Sequence, residues 1–180
     1  MRTKLQIQKE KMKRNKNTLI LGIGNYLMGD EGIGVHVANQ LEKELLPVGV
    51  DVLDGGTGGF YLLEYFEIYK HVILVDATLD GNPPGTIRLI KPRFASDFPP
   101  AMSTHDIGLK DLVSALQVLG KMPEIDLFVV SIHSIQQQGI ELTPKIANLI
   151  PEIINKIRCL IFQNDSLFIE PPFKNLLAAL

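Results

Sequence analysis

Thr18-Leu-Ile-Leu-Gly-Ile-Gly-Asn-Tyr-Leu-Met-Gly-Asp-Glu-Gly-Ile-Gly-Val35 changes its hydrophobic period partway along. Thr18 to Ile23 is a continuous apolar run bounded by glycine, the pattern of a strand buried on both faces. From Asp30 the pattern becomes helical: Ile33, Val37, Leu41 and Leu45 recur at a spacing of four, which predicts a helix to about Leu46. Asp30 and Glu31 fall where a helix N-terminus favours negative charge, and Pro47 stands where the helix should stop.

The same alternation continues outward. Val48 to Leu53 reads as a second strand, Phe60 to Tyr69 as an aromatic-rich helix, and His71 to Val75 as a third, nearly all-apolar strand. Asp80-Gly-Asn-Pro-Pro-Gly85 then interrupts the rhythm, and Thr86 to Ile90 alternates like a short edge strand. Residues 92 to 104 read as a polar loop. Asp106 to Leu119 reads as a helix whose start, Ser103-Thr-His-Asp106, fits a capping box. Ile125 to Ile132 is the last core strand, and Pro144 to Ile157 the last helix, kinked at Pro151. Buried parallel strands need cover on both faces, so the expected class is α/β: three layers, α/β/α, around a mostly parallel, twisted five-stranded sheet with one short edge strand.

The chain has 180 residues, of which 46% are hydrophobic and 21% charged, the range of one globular domain. The domain is expected over 18–158, after a basic leader at 1–17 and before a tail at 159–180 that fits no element. The leader holds seven basic residues and one acid, leaving 11 basic and 19 acidic residues in the remainder. That balance excludes a general nucleic-acid binder. The single Cys159 rules out an intramolecular disulfide framework, and its apolar neighbours suggest a buried thiol. No apolar run approaches the roughly 18 residues of a membrane span, so a soluble, cytoplasmic protein is expected.

In an open α/β sheet, chemistry gathers at the carboxyl ends of the strands. The candidates there are the glycine-rich turn after strand 1, Asp54-Gly-Gly-Thr-Gly-Gly59 after strand 2, Asp76 after strand 3, His133 after strand 5, and His105 before the third helix. Gly22-x-Gly24 with Asp54 resembles the start of a dinucleotide fingerprint. The third glycine position is Leu27, however, and Asp30 and Glu31 would repel a pyrophosphate. A divalent metal is the other reading, with Glu31, Asp76 and His105 as oxygen and nitrogen ligands from separate segments, a set suited to zinc or nickel. Blander roles stand beside it: Glu31 as a helix-dipole partner, Asp76 and Asp54 as turn residues, His105 as a solvent-facing first-turn residue, and His36, His71 and His133 as structural histidines. No Gly-x-Ser-x-Gly elbow supports a serine hydrolase.

Taken together, the 19–35 stretch, Asp54-Gly-Gly-Thr-x-Gly59, Val75-Asp-Ala77, Pro84-Gly-Thr86, Ser103-Thr-His-Asp-Ile-Gly-Leu109 and Gly139-Ile-Glu-Leu-Thr-Pro144 resemble the hydrogenase maturation proteases. These are endopeptidases that remove a C-terminal extension from the large subunit of nickel–iron hydrogenases. The resemblance implies that Glu31, Asp76 and His105 are the metal ligands, with Asp76 also the candidate catalytic base. It implies that the nickel belongs to the loaded precursor, that no permanent cofactor is held, and that zinc or cadmium can occupy the ligands in vitro. Gly55, Gly56, Thr57, Gly58 and Gly59 would border the substrate channel, where missing side chains let an extended peptide approach. A monomer is expected. A nickel-dependent escort that binds the precursor without cutting it remains an alternative, as does a degenerate nucleotide-binding module.

Overall fold

The computed structural model describes residues 17–99, 109–135 and 138–165. Its sheet contains β1 (Thr18–Gly22), β2 (Val50–Asp54), β3 (His71–Thr78), β4 (Ile87–Ile90) and β5 (Glu124–Ser131), in the order β2-β1-β3-β5-β4. All neighbours are parallel except β4, which pairs antiparallel along β5 from Ile87 opposite Val130 to Ile90 opposite Leu127. The helices are α1 (Ile33–Leu41), α2 (Leu63–Ile68), α3 (Leu109–Leu119), α4 (Pro144–Ala147) and α5 (Ile150–Asp165). The expected three-layer class is the one observed. Among the described residues no helix is long and apolar enough to cross a membrane.

The apolar runs form strands here because successive side chains enter two separate cores. Leu19, Leu21, Val72, Leu74, Leu127 and Val129 pack with α2 and α3 on one face. Ile20, Ile73, Val75, Phe128 and Val130 pack with α1 and α5 on the other. Each fully buried Leu, Ile or Val contributes about 1.5–3 kcal/mol of transfer free energy, so a central strand loaded on both faces has no alternative register of similar stability.

The helix ends differ from the sequence expectation. A 3-10 turn over Gly29–Gly32 precedes α1, which ends at Leu41, so Leu45 is fully exposed and Pro47 terminates nothing. The chain must turn back there to bring Val50 opposite Thr18, and it does so through Gly49 at φ 88°. The predicted helix from Pro144 to Ile157 is two helices. Residue 150 starts a new one with Pro151 in its first turn, where the missing N–H costs nothing. That helix runs on to Asp165, so Cys159 belongs to it, and Cys159 is exposed rather than buried. Residues 1–16, the Ser103–Asp106 capping box and the tail beyond Asp165 lie outside the described residues.

Candidate active site

The strand order reverses direction between β1 and β3, and the chain leaving β1 fills the crevice at that point. Ile23 donates its N–H to the carbonyl of Val75 at 2.9 Å. The 3-10 turn and the start of α1 then press directly onto the two strand ends. A Cβ on Gly34 would overlap the carbonyl oxygens of Ile23 and Val75, one on Gly22 the carbonyl of Gly34, and one on Gly24 the carbonyl of Glu31. Glycine at these positions is therefore a requirement of close backbone packing.

This packing places Glu31 and Asp76 on either side of the reversal point. Glu31 sits in the 3-10 turn that packs against β3, and Asp76 follows Val75 in β3 itself. Asp76 lies within the strand rather than beyond its end, because β3 continues to Thr78. Its Oδ1 accepts the N–H of Ala77 at 2.8 Å. Both side chains are buried, Glu31 at 3% and Asp76 at 0% exposure. Alternation along β3 puts Asp76 on the face of Val72 and Leu74, the face covered by α3. The third expected ligand, His105, lies outside the described residues, four positions before the first residue of α3. Among the described residues no three His, Cys, Asp or Glu side chains group closely enough to hold a metal ion.

By sequence Asp30 is simply an acid at a helix start. The structure gives it a long-range role. Its carboxylate accepts the backbone N–H of Thr143 at 2.7 Å and the Thr143 hydroxyl at 2.9 Å. Beside this clamp, Gly29 donates to the carbonyl of Gly139 and Gly139 to that of Leu27, each at 2.8 Å. His36 meets the Ile140 carbonyl at 3.0 Å, and its ring lies 4.8 Å from that of Tyr26. Both partner stretches were visible as motifs, but no local pattern connects residues 113 apart.

The glycine-rich loop after β2 lies on the other flank. Asp54 accepts the N–H of Gly56 at 2.8 Å, the turn role open to it from sequence. Gly55 donates to Gly22 and Gly24 to the carbonyl of Gly56, so this loop is bonded to the one after β1. Gly56, Gly58 and Gly59 have φ values of 49°, 78° and 117°, a conformation that admits side chains only with strain. Thr57 is exposed, and the Tyr61 hydroxyl donates to the carbonyl of Gly55. Burial, with the nearby Asp54 and Tyr65, pushes the Tyr61 phenol above its ordinary value, so it stays a donor.

The remaining histidines are elsewhere. His71 opens β3 at the opposite, amino-terminal end of the parallel strands, buried and 2.8 Å from Asp126 Oδ2, while Lys91 Nζ lies 3.1 Å from Asp126 Oδ1. Burial raises the Asp126 carboxyl, but bonds from His71 and Lys91 outweigh it and leave Asp126 below its usual range. His133 is exposed beside a depression of about 440 Å³ lined by Asn82, Pro83 and Pro84.

A sequence model described as hydrogenase maturation protease matches residues 35–159, beginning four positions after Glu31. The Hydrogenase 2 maturation protease of Escherichia coli K12 is 35% identical over 142 residues, covering 77% of this chain and 87% of that protein. The hydrogenase expression/formation protein HupD of Bradyrhizobium diazoefficiens is 37% identical over 116 residues, and the match spans 59% of its length. Among solved structures, the hydrogenase maturating endopeptidase HybD from E. coli superposes with a TM-score of 0.74 at 34% identity, covering 82% of this chain and 93% of that one. The fold, the breadth of the match and a third of the residues are thus held in common with a processing endopeptidase, and this chain belongs to the hydrogenase maturation protease family, a family of peptidases.

Proposed function

We infer that the protein removes the C-terminal extension from the nickel-loaded precursor of a nickel–iron hydrogenase large subunit, reading the substrate's nickel as the mark of a loaded centre. The observation that carries this reading is the pair of buried carboxylates, Glu31 and Asp76, at the reversal point of a maturation-protease sheet. Carboxylate and imidazole are donors that nickel accepts, and Glu31, Asp76 and His105 would leave positions open for the substrate's own ligands. The scissile carbonyl would lie beside a Lewis acid, with Asp76 as general base toward the attacking water. Gly55, Gly56, Thr57, Gly58 and Gly59 would border the peptide's path. The protein would need no cofactor of its own and would act as a monomer in the cytoplasm; zinc or cadmium would occupy the same ligands in vitro.

Intact-mass analysis of a large-subunit precursor, with and without nickel, tests the reading. Loss of one discrete C-terminal peptide from the nickel-loaded form alone is the expected result. Equal loss without nickel would remove the tag from the scheme. A stable nickel-dependent complex without any loss of mass would make the protein an escort.

A further inference from the structure

The three segments around Glu31 are joined edge to edge. Gly139 is bonded to Leu27, and Gly24 to Gly56, so residues 138–140, 24–29 and 55–61 form one continuous ledge. That ledge carries five large apolar side chains in solvent: Tyr26, Leu27, Phe60, Tyr61 and Ile140, between 37% and 58% exposed. Isolated exposed apolar residues need no explanation, but five on hydrogen-bonded neighbouring segments at one end of a sheet mark a contact surface.

The charge of the ledge is one-sided. No Lys or Arg occurs in residues 17–42, 44–69 or 122–144, whereas Asp54, Glu64 and Glu141 on these segments are exposed. Among the described residues of these segments the exposed charges are carboxylates, up to Lys145 at the start of α4, and such a surface complements an apolar chain that carries basic side chains and disfavours an acidic one. The ledge also adjoins the turn that carries Glu31, since Leu27 lies two positions before Gly29–Gly32, and Phe60 follows the glycine loop.

We propose that this ledge docks an apolar, basic stretch of the substrate protein flanking its scissile bond, and that it supplies binding strength independent of the nickel. The proposal rests on the protease reading above for the identity of the substrate, but its test does not depend on cleavage. Binding of the nickel-free large-subunit precursor to the full chain is measured by calorimetry for wild type, for Leu27→Ser/Phe60→Ser, and for Glu141→Lys. Thermal unfolding of each checks that the exposed substitutions leave the fold intact. The apolar double variant is expected to weaken binding roughly tenfold, and the charge reversal to weaken it and flatten its salt dependence. Unchanged affinity in both variants would overturn the proposal, as would a wild-type chain that binds only loaded precursor. Cleavage of loaded precursor is scored separately. Binding that fails in the variants while the wild type binds but never cuts would keep the ledge and reject the protease reading.

Discussion

Asp30 holds Thr143 by two bonds at once, the backbone N–H at 2.7 Å and the hydroxyl at 2.9 Å, and so ties the turn carrying Glu31 to the start of α4. Charge-assisted bonds of this kind contribute about 1.5–3 kcal/mol each when shielded from water. Thr143→Val should lower unfolding free energy by about 1–2 kcal/mol through loss of the hydroxyl, and Thr143→Ser should restore most of it. Urea denaturation of the three proteins measures this; equal midpoints would show the hydroxyl bond of the clamp to be energetically idle.

Glu31→Gln keeps the size of a buried side chain and removes its charge. Processing of loaded precursor should fall at least a hundredfold, with the unfolding midpoint shifted by only a few degrees. His105→Ala should behave alike. Normal processing by either variant in a gel-shift assay would reject the ligand set.

Gly34→Ala should act on folding instead. Its Cβ would meet two backbone carbonyls that cannot move without opening β1 from β3, at a cost of about 3 kcal/mol or more. Expression in the soluble fraction and calorimetric unfolding report the loss, and a wild-type unfolding temperature would contradict it.

Asp126 gives the pH dependence its sign. Its carboxyl is held below the ordinary value in the fold, so its contribution is complete above the unfolded value and is lost as pH falls through the depressed one, below about pH 4. Asp126→Asn should therefore flatten the decline in stability between about pH 5 and pH 2, measured by urea midpoints. An unchanged slope would assign the acid sensitivity to other carboxylates.

Cys159 faces solvent on α5 and is the chain's single cysteine. A disulfide reagent should titrate one thiol per native chain without denaturant. Reaction only after unfolding would mean that the thiol is covered.

The strands were legible because parallel, doubly covered strands must be largely apolar, and Thr18–Ile23, His71–Val75 and Ile125–Ile132 are, with Thr18, His71, Asp126 and Ser131 as the buried polar exceptions. Helix limits were not. Leu45 continues the spacing of Ile33, Val37 and Leu41 yet lies outside the helix, since the demand to pair Val50 with Thr18 overrides a periodic pattern. Cys159 was misread because its apolar neighbours suggested a core, whereas in a helix those neighbours point elsewhere. Glu31 and Asp76 were recognisable by their place after strands, but their burial depends on how Gly22, Gly24 and Gly34 let the chain close over the sheet. Asp30 could not be paired with Thr143 from any local signal.

That interlock of three glycines has a genetic consequence. Its shape is set by main chain against main chain, so the turn that carries Glu31 is held on β1 and β3 by backbone contacts. Lesions in one short turn should therefore fall into two kinds. Those at Glu31 should leave normal amounts of an inert protein, able to compete with the active one for precursor, and those at Gly34, three positions on, should leave almost none. A cell carrying both the wild-type gene and a mutant copy would tell them apart, because only the first kind would be dominant.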